Sequence, residues 1–258
     1  AAHAFAMEAT TTVCAAFIDS GAEDYMLETA ILKVFATEHL WTCVYEVMQV
    51  YGGRSYFCNE PLERWMRDAR INTIGEGANE VLKAFIAVVG CRAPGLKLDD
   101  LRKAAKTKFF SSIPRMLGFA GGELVRRATS QHIPVKSPEL AAPAKALGKL
   151  VKKLGTALPW VFLQCGTEER FIQAQLQHER LADIAIDLYV SSCVLSRLDS
   201  MIEAGTGPRR DEDYTGELEA GKYFLTLAHQ RLEERFAGLF ANADDQTVVA
   251  ANAVLARW

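Results

Sequence analysis

No apolar stretch of this 258-residue sequence is as long as the roughly 18 residues that a membrane-spanning helix needs. No charged segment is followed by an apolar run, so no signal peptide is expected. The 29 lysines and arginines are balanced by 32 acidic residues, and without a positive excess nothing indicates nucleic-acid binding. What remains is a half-apolar chain that is long enough to bury a substantial core.

The residue spacings typical of metal sites and hydrolases are missing as well. The six cysteines form no CxxC pair and the five histidines form no HExxH motif, so no metal site is predicted. There is no Ser-His-Asp signature, and the stretch GEGANE lacks the third glycine of a phosphate-binding loop. Most cysteines lie among apolar residues, which favours free buried thiols over disulfides.

Apolar residues recur at helical spacing along most of the chain, without an alternating strand pattern or an internal repeat. We therefore predict an all-α helical bundle. The predicted helices are 1–19, 23–50, 61–70, 77–89, 138–165, 167–204, 212–240 and 245–257. Gly90 and Pro94-Gly95 favour a break, which divides the chain into two helical domains, 1–92 and 93–258. The first helix lacks an N-cap residue, so we expect that the sequence begins inside a larger protein.

The stretch 97–136 differs from the rest in composition. It holds nine lysines and arginines against three acidic residues, interleaved with phenylalanine and leucine. This composition suits a helix lying on an anionic membrane. It suits a basic, solvated helix packed on the bundle equally well, and the sequence leaves both alternatives open.

Residues 49–80 combine a polar side chain before paired glycines, a charge-dense short helix, and a carboxylate between two glycines. These features are Gln49 with Gly52-Gly53, the stretch 63–70, and Gly75-Glu76-Gly77. Each has an ordinary structural explanation when taken alone. Paired glycines end helices, charged helices form solvated ion pairs, and a glutamate near a helix start stabilises the helix dipole.

The order and spacing of these features together resemble the signature of the acyl-CoA dehydrogenase family. In that family, Gln-x-x-Gly-Gly is followed by Glu-x-Pro, Arg-Asp-x-Arg-Ile and Glu-Gly. The corresponding residues are Gln49, Gly52-Gly53, Glu60-Pro61, Arg67-Asp68-Ala69-Arg70-Ile71 and Glu76-Gly77. The resemblance to the family's C-terminal helical domain covers about residues 1–90 of this chain. Residues 168–204 resemble the extra C-terminal domain of the very-long-chain branch.

The resemblance implies α,β-dehydrogenation of a long-chain fatty acyl-CoA, in which hydride passes to N5 of FAD. Glu76 matches the catalytic base, which must be held close to the substrate C–H and desolvated. Its backbone N–H is expected to polarise the thioester carbonyl. Gly77 is the expected substrate-binding residue, since the flanking glycines leave room for thioester and flavin.

The resemblance also implies cofactor contacts and partners. In the family, the Gln-x-x-Gly-Gly motif contacts the FAD of a neighbouring subunit. The resemblance gives this role to Gln49, Gly52 and Gly53 and so implies a homodimer. Ala78, where the family usually has threonine, and Glu80 would lie near FAD too. The family's N-terminal domains, which hold the flavin ring, are not in this sequence, so we expect this chain alone to bind FAD weakly or not at all.

Alternative functions remain open beside the enzyme. The chain could be a non-catalytic assembly or scaffold member of the same family, or serve only dimerisation and membrane docking. The retained Glu76 favours the enzyme, with electron-transfer flavoprotein as the family's electron acceptor. The expected location is the bacterial cytoplasm or the mitochondrial matrix, peripheral to the inner membrane if 97–136 binds lipid.

Overall fold

The computed structural model describes residues 1–107, 131–205 and 214–256. Over these residues the chain forms α-helices and no strand, which confirms the predicted all-α class. The helices are α1 (Ala2–Asp19), α2 (Met26–Tyr51), α3 (Pro61–Asn72), α4 (Asn79–Thr107), α5 (Ala141–Cys165), α6 (Glu168–Gln173), α7 (Gln175–Ala204), α8 (Thr215–Gly238) and α9 (Asp244–Leu255). Two short 3-10 helices, Gly52–Tyr56 and Pro138–Leu140, follow α2 and precede α5.

Helix α4 corrects the predicted helix end at Val89. It continues through Gly90 and Pro94 to Thr107 and so crosses the predicted division between 1–92 and 93–258. The reason is tertiary packing, which overrides local helix propensity, because α4 lies against both α5 and α7. The division into two domains stays a prediction.

Helices α6 and α7 correct a second expectation, a single helix over 167–204. The helix is interrupted at Ala174, whose ψ angle of 61° is not helical. Thr167 caps α6 by accepting a hydrogen bond from the Arg170 N–H at 3.3 Å. Neither glycine nor proline marks the break, so no local sequence signal predicts it.

Helix α7 is the centre of the core. It contacts α1, α2, α4, α5 and α8, and it buries the apolar stripe that its sequence predicts. The buried members of this stripe are Leu181, Ile184, Leu188, Leu195 and Leu198. Burying each such side chain stabilises the fold by roughly 1.5–3 kcal/mol relative to leaving it exposed.

Lys83 joins three helices through ion pairs. From α4, its Nζ lies 3.0 Å from Glu38 of α2 and 3.0 Å from Asp183 of α7. The lysine side chain is only 11% exposed, so these contacts are screened less than surface pairs. Removing one partner would leave an uncompensated charge in a largely buried place. Lys83 therefore fixes the position of α4 on the central helix.

Asp187 continues this chain of ion pairs into α8. Its side chain is 2% exposed, and it pairs with Arg231 at 3.1 Å and Arg235 at 2.6 Å. Arg235 also donates to the backbone carbonyl of Asp183 at 2.7 Å. A buried carboxylate needs such partners to offset its desolvation. The polar contacts thus connect α2 and α4 to α7 and α8.

The predicted apolar stripe of α2 is buried only along its first half. Ile31 and Val34 are in the core, whereas Tyr45 is 52% exposed. Beyond it, further large apolar side chains of the next thirty-odd residues are exposed: Val50, Tyr51, Tyr56, Phe57, Trp65, Ile71, Ile74 and Val81. The described part of the chain leaves these side chains uncovered, which makes this region a candidate for contact with another molecule or domain.

The six cysteines are all free. Cys14, Cys91 and Cys193 are buried, and Cys58 is exposed. Burial raises the pKa of Cys91 to about 12 and that of Cys193 to about 11. Because the thiolate is the reactive form, these buried thiols are chemically inert near neutral pH.

The basic stretch 97–136 is described only at its two ends, since residues 108–130 lie outside the described residues. At its C-terminal end, the Lys136 N–H donates to Asp199 of α7 at 2.9 Å, and Lys136 Nζ contacts Glu203 at 2.8 Å. Within the described ranges, no helix has the length and apolar character needed to cross a bilayer. Peripheral membrane contact through this stretch stays a prediction.

Gly221 of α8 lies where α1 and α7 meet. A Cβ at this position would lie 2.7 Å from Phe5 Cε1 and 2.7 Å from Leu198 Cδ2. We predict that Gly221→Ala lowers the free energy of unfolding by about 1–3 kcal/mol through overpacking, although alanine is the better helix former. Urea denaturation followed by far-UV circular dichroism measures this change.

Gly155 of α5 is the matched control. No atom lies within 4 Å of a Cβ built there, so Gly155→Ala should raise the free energy of unfolding by about 0.5–1 kcal/mol. An equal increase for both variants would contradict the proposed packing at Gly221.

His3 makes the stability of the fold depend on pH. Its ring lies against that of His39, tilted by 55° with the centroids 4.2 Å apart. Its buried Nε2 has no hydrogen-bond partner among the described residues, and burial lowers its pKa from 6.5 to about 4. The unfolded chain therefore binds more protons, so stability is full above pH 6.5 and falls as the pH drops toward about 4. We predict that His3→Phe flattens this fall, measured by urea denaturation across that pH range. His229→Gln, at an exposed position, should leave the slope unchanged, and a slope equal in all three proteins would refute the prediction.

Candidate functional site

The loop between α3 and α4 carries Glu76. It is short and closed by backbone hydrogen bonds. The Gly75 N–H donates to Ile71 O at 2.8 Å, and the Asn79 N–H donates to Thr73 O at 3.0 Å. The sequence predicted a helix start near Gly77, and α4 begins two residues later at Asn79. Glu76 therefore projects from a tight connection rather than from a helix.

Glu76 has a strained backbone conformation. Its φ angle is +52°, and no other non-glycine residue in the described part of the chain has a positive φ. This left-handed conformation costs an L-residue roughly 1–2 kcal/mol. Gly77 follows at φ +96°, and a Cβ there would lie 3.3 Å from Leu82, so a glycine is needed. Strain of this kind persists where the surroundings enforce it and is concentrated at functional sites.

The Glu76 carboxylate is available to a ligand. It is exposed, and among the described residues it makes no hydrogen bond or ion pair. The backbone N–H of Glu76 has no protein acceptor there either. A free carboxylate beside a free N–H donor can take a proton and at the same time bind an oxygen. The described part of the chain leaves this carboxylate solvated.

Sequence reasoning missed three polar residues that support the loop. Asn79 is 4% exposed; its Oδ1 accepts a hydrogen bond from Lys33 Nζ at 2.7 Å, and its Nδ2 donates to Thr37 Oγ1 at 3.0 Å. Lys33 Nζ also donates to the Gly77 carbonyl at 2.6 Å. The available signals were the spacing of Lys33 and Thr37, one turn apart on α2, and an asparagine at the start of the next helix.

Lys33 is the cation of this polar cluster. Burial lowers the pKa of Lys33, and the carboxylates of Glu80, Glu38 and Glu76 act in the opposite direction. The negative groups keep the ammonium group favourable in a partly buried place. Lys33 is thus held between the core and the acidic loop.

The residues predicted to contact FAD fall into two groups. Gln49, Gly52 and Gly53 lie exposed at the end of α2. Gly52 has a φ of +61°, its N–H donates to Gln49 O, and no atom lies within 4 Å of a Cβ built at either glycine. The backbone at this turn is open to close approach by a ligand.

Ala78 and Glu80 form the second group, at the start of α4. Ala78 is half-buried, and its carbonyl accepts from the Leu82 N–H at 2.9 Å. The Glu76 loop is bound by Lys33, whose Nζ lies 2.6 Å from Gly77 O. Lys33 lies 16 residues before Gln49 on the continuous helix α2, about 24 Å at 1.5 Å per residue. The predicted site residues therefore do not form one cluster.

Metal ligation is not indicated by the described part of the chain. No group of three or more histidine, cysteine, aspartate or glutamate side chains there could hold a metal ion. The candidate site consists of one carboxylate, free backbone donors and a supporting polar network.

Two family models match the chain. The model described as "Acyl-CoA dehydrogenase, C-terminal domain" matches residues 1–90. The model described as "ACAD9/ACADV, C-terminal domain" matches residues 138–256. The Glu76 loop lies within the first match, and the central helix α7 lies within the second.

Curated relatives agree with these matches. The chain is 32% identical over 205 residues to the human mitochondrial very long-chain specific acyl-CoA dehydrogenase, covering 78% of this chain and 31% of the relative. It is 28% identical to the rat protein of the same name, over 94% of this chain and 36% of the relative. A probable acyl-CoA dehydrogenase of Mycobacterium tuberculosis, FadE10, is 26% identical over 99% of this chain and 41% of its own length. The chain thus spans about a third of the very-long-chain relatives.

A solved structure shares the fold. An acyl-CoA dehydrogenase from Bacillus anthracis, described as complexed with FAD, superposes with a TM-score of 0.68. The match covers 97% of this chain and 43% of that protein at 18% sequence identity. At this identity the similarity supports the helical fold and not the site.

The strained backbone at Glu76 leads to a stability prediction. Because glycine adopts a left-handed φ without steric cost, we predict that Glu76→Gly leaves the free energy of unfolding unchanged or raises it by up to about 1 kcal/mol. Glu80→Gly, in the first turn of α4, should lower it by about 1 kcal/mol. Urea denaturation of both variants tests this difference. Equal destabilisation by the two substitutions would mean that Glu76 is not strained in solution.

Proposed function

Because the chain belongs to the acyl-CoA dehydrogenase family, we propose that it is the C-terminal part of a flavin-dependent enzyme that dehydrogenates long-chain fatty acyl-CoA thioesters in β-oxidation. The observation that carries the proposal is Glu76. It is a carboxylate without a protein partner among the described residues, held in a left-handed backbone conformation next to Gly77. A structural glutamate at a helix start would not need this strained backbone.

Glu76 acts as the general base in this proposal. Its carboxylate takes the α-proton of the thioester, which is acidified by the neighbouring carbonyl. The free backbone N–H of Glu76 donates to that carbonyl oxygen and stabilises the negative charge that develops there. Gly77 binds the thioester through its backbone, which is exposed beside Glu76. Closure of the site by the rest of the protein supplies the desolvation that makes the base effective.

FAD, when bound, supplies the acceptor for the β-hydride. The residues of this chain fit such a group, because the turn at Gly52 and Gly53 presents open backbone without a neighbouring atom within 4 Å of a built Cβ. Gln49 and these glycines would hold the cofactor's distal end. Ala78 and Glu80 would approach FAD at the start of α4, where Ala78 cannot offer a hydroxyl.

A homodimer explains why the two groups of cofactor residues lie apart. About 24 Å of the continuous helix α2 separates Gln49 from Lys33, whose side chain binds the Glu76 loop. One chain would therefore contribute Glu76 to its own FAD and Gln49 to that of its partner. The exposed apolar side chains from Tyr45 to Val81 are the surface that the partner and the remaining domains would cover.

The further partners and location follow from the family. We propose electron-transfer flavoprotein as the acceptor of electrons, and the mitochondrial matrix or the bacterial cytoplasm as the compartment. The basic stretch 97–136 would give peripheral contact with anionic lipid. A non-catalytic assembly role, or a fragment that serves only dimerisation and docking, remains the alternative if Glu76 proves dispensable.

Anaerobic titration tests the proposal. The full-length protein is reconstituted with FAD and titrated with palmitoyl-CoA while the absorbance of oxidised flavin is followed. We predict bleaching in the wild type and its loss in Glu76→Gln, because the amide cannot accept the α-proton. Removal of a general base typically slows the step by about 10²–10⁴-fold.

Glu169→Gln is the matched control, since Glu169 is an exposed acid on α6. It should bleach like the wild type. Equal bleaching by wild type and Glu76→Gln would exclude Glu76 as the base. An FAD-loaded wild type that no acyl-CoA bleaches would favour the assembly role.

A further inference from the structure

We infer that Lys33 is a positioning residue for the Glu76 loop, because its ammonium group binds both the Gly77 carbonyl and the Asn79 side chain and thereby holds Glu76 in its left-handed backbone conformation. The catalytic consequence of this inference rests on the proposed function, whereas the structural consequence rests on geometry alone. Lys33 touches neither substrate nor cofactor in this account and acts only through the loop.

The side chain of Lys33 binds the two ends of the segment that follows Glu76, Gly77 and Asn79. Its Nζ lies 2.6 Å from Gly77 O and 2.7 Å from Asn79 Oδ1. Hydrogen bonds from an ammonium group are shorter and roughly twice as strong as those between neutral groups. Two of them on one nitrogen fix the peptide plane after Gly77 and the start of α4 at the same time.

The other end of the contact is rigid. Lys33 lies on α2 between Ile31 and Val34, both of which are in the core. Thr37, one turn later, accepts a hydrogen bond from Asn79 Nδ2 at 3.0 Å and donates to the Lys33 carbonyl at 2.9 Å. The loop is thus attached to a buried helix through two adjacent turns.

The loop needs this attachment because its conformation is locally unfavourable. A left-handed glutamate tends to relax, and Gly77, with φ +96°, gives the chain the freedom to do so. Strained conformations persist only where surrounding contacts over-determine them. Besides Lys33, the contact that closes the loop at its base is the Asn79 N–H to Thr73 O bond at 3.0 Å.

Loss of the Lys33 ammonium group would leave the Thr37 hydroxyl, 3.2 Å away, as the remaining donor to the buried Asn79 Oδ1. That hydroxyl already donates to the backbone carbonyl of residue 33. An unsatisfied buried acceptor is costly, so Asn79 would shift toward solvent. The start of α4 and the Glu76 backbone would follow it. The distance between base and substrate would then vary, and a small displacement of a reacting group slows catalysis strongly.

Hydrogen exchange measures the structural part of the inference on the full-length protein, with or without FAD. The reporters are the Gly75 and Asn79 amides, which donate within the loop. In Lys33→Met we expect both to exchange at least about tenfold faster, with the core of α7 unchanged. Lys145→Met, at an exposed position of α5, is the control and should exchange like the wild type.

Kinetics of the FAD-loaded protein measure the catalytic part. We expect Lys33→Met to lower kcat about 10–100-fold, with KM and FAD content close to those of the wild type, because substrate contacts remain. Lys33→Arg keeps a cationic donor and should recover part of kcat and of the exchange protection. If Lys33→Met does not fold, Lys33→Arg and Lys33→Gln provide the same comparison between a charged and a neutral donor.

The outcomes separate the two proposals. Unchanged exchange at Gly75 and Asn79 together with unchanged kcat in a folded Lys33→Met protein would overturn the inference. A fall in kcat that is matched by loss of FAD, or by faster exchange throughout α7, would also overturn it, since that is general destabilisation. If the wild type does not bleach with acyl-CoA while Lys33→Met still loosens the loop, the proposed function fails and only the structural contact survives.

Discussion

The buried face of α7 is the constraint on which the other helices depend. It contacts α1, α2, α4, α5 and α8, and its apolar stripe supplies much of the core. The ion pairs from Lys83 to Asp183 and Glu38 then fix α4 along this helix. Because α4 begins at Asn79, its position also determines where the loop with Glu76 ends. The core and the candidate site are therefore connected by one helix.

The candidate site combines local strain with external support. Glu76 takes a backbone conformation that an L-residue avoids, in a loop that backbone hydrogen bonds of Gly75 and Asn79 close. The polar contacts of Lys33 and Asn79 stabilise the loop from α2. This arrangement fits a general observation, that strained residues persist where the fold around them is rigid and where a particular orientation is useful.

The chain is at once a well-packed helical unit and an incomplete site. Its core closes around α7, yet Tyr45, Val50 and other large side chains between α2 and α4 stay exposed. Glu76 is exposed as well. Both observations agree with a chain that spans about a third of its very-long-chain relatives.

The sequence alone determined the helical class, because apolar spacing at 3.6 residues reports which faces are buried. It also determined Glu76 as the candidate base, since the ordered motif from Gln49 to Gly77 is local and specific. Only the tertiary structure decided that α4 runs through Pro94 and that the helical region 167–204 is interrupted at Ala174. It alone revealed Lys33 beside Gly77, 44 positions away. Periodicity records burial along one helix, whereas contacts between distant segments depend on how the helices pack.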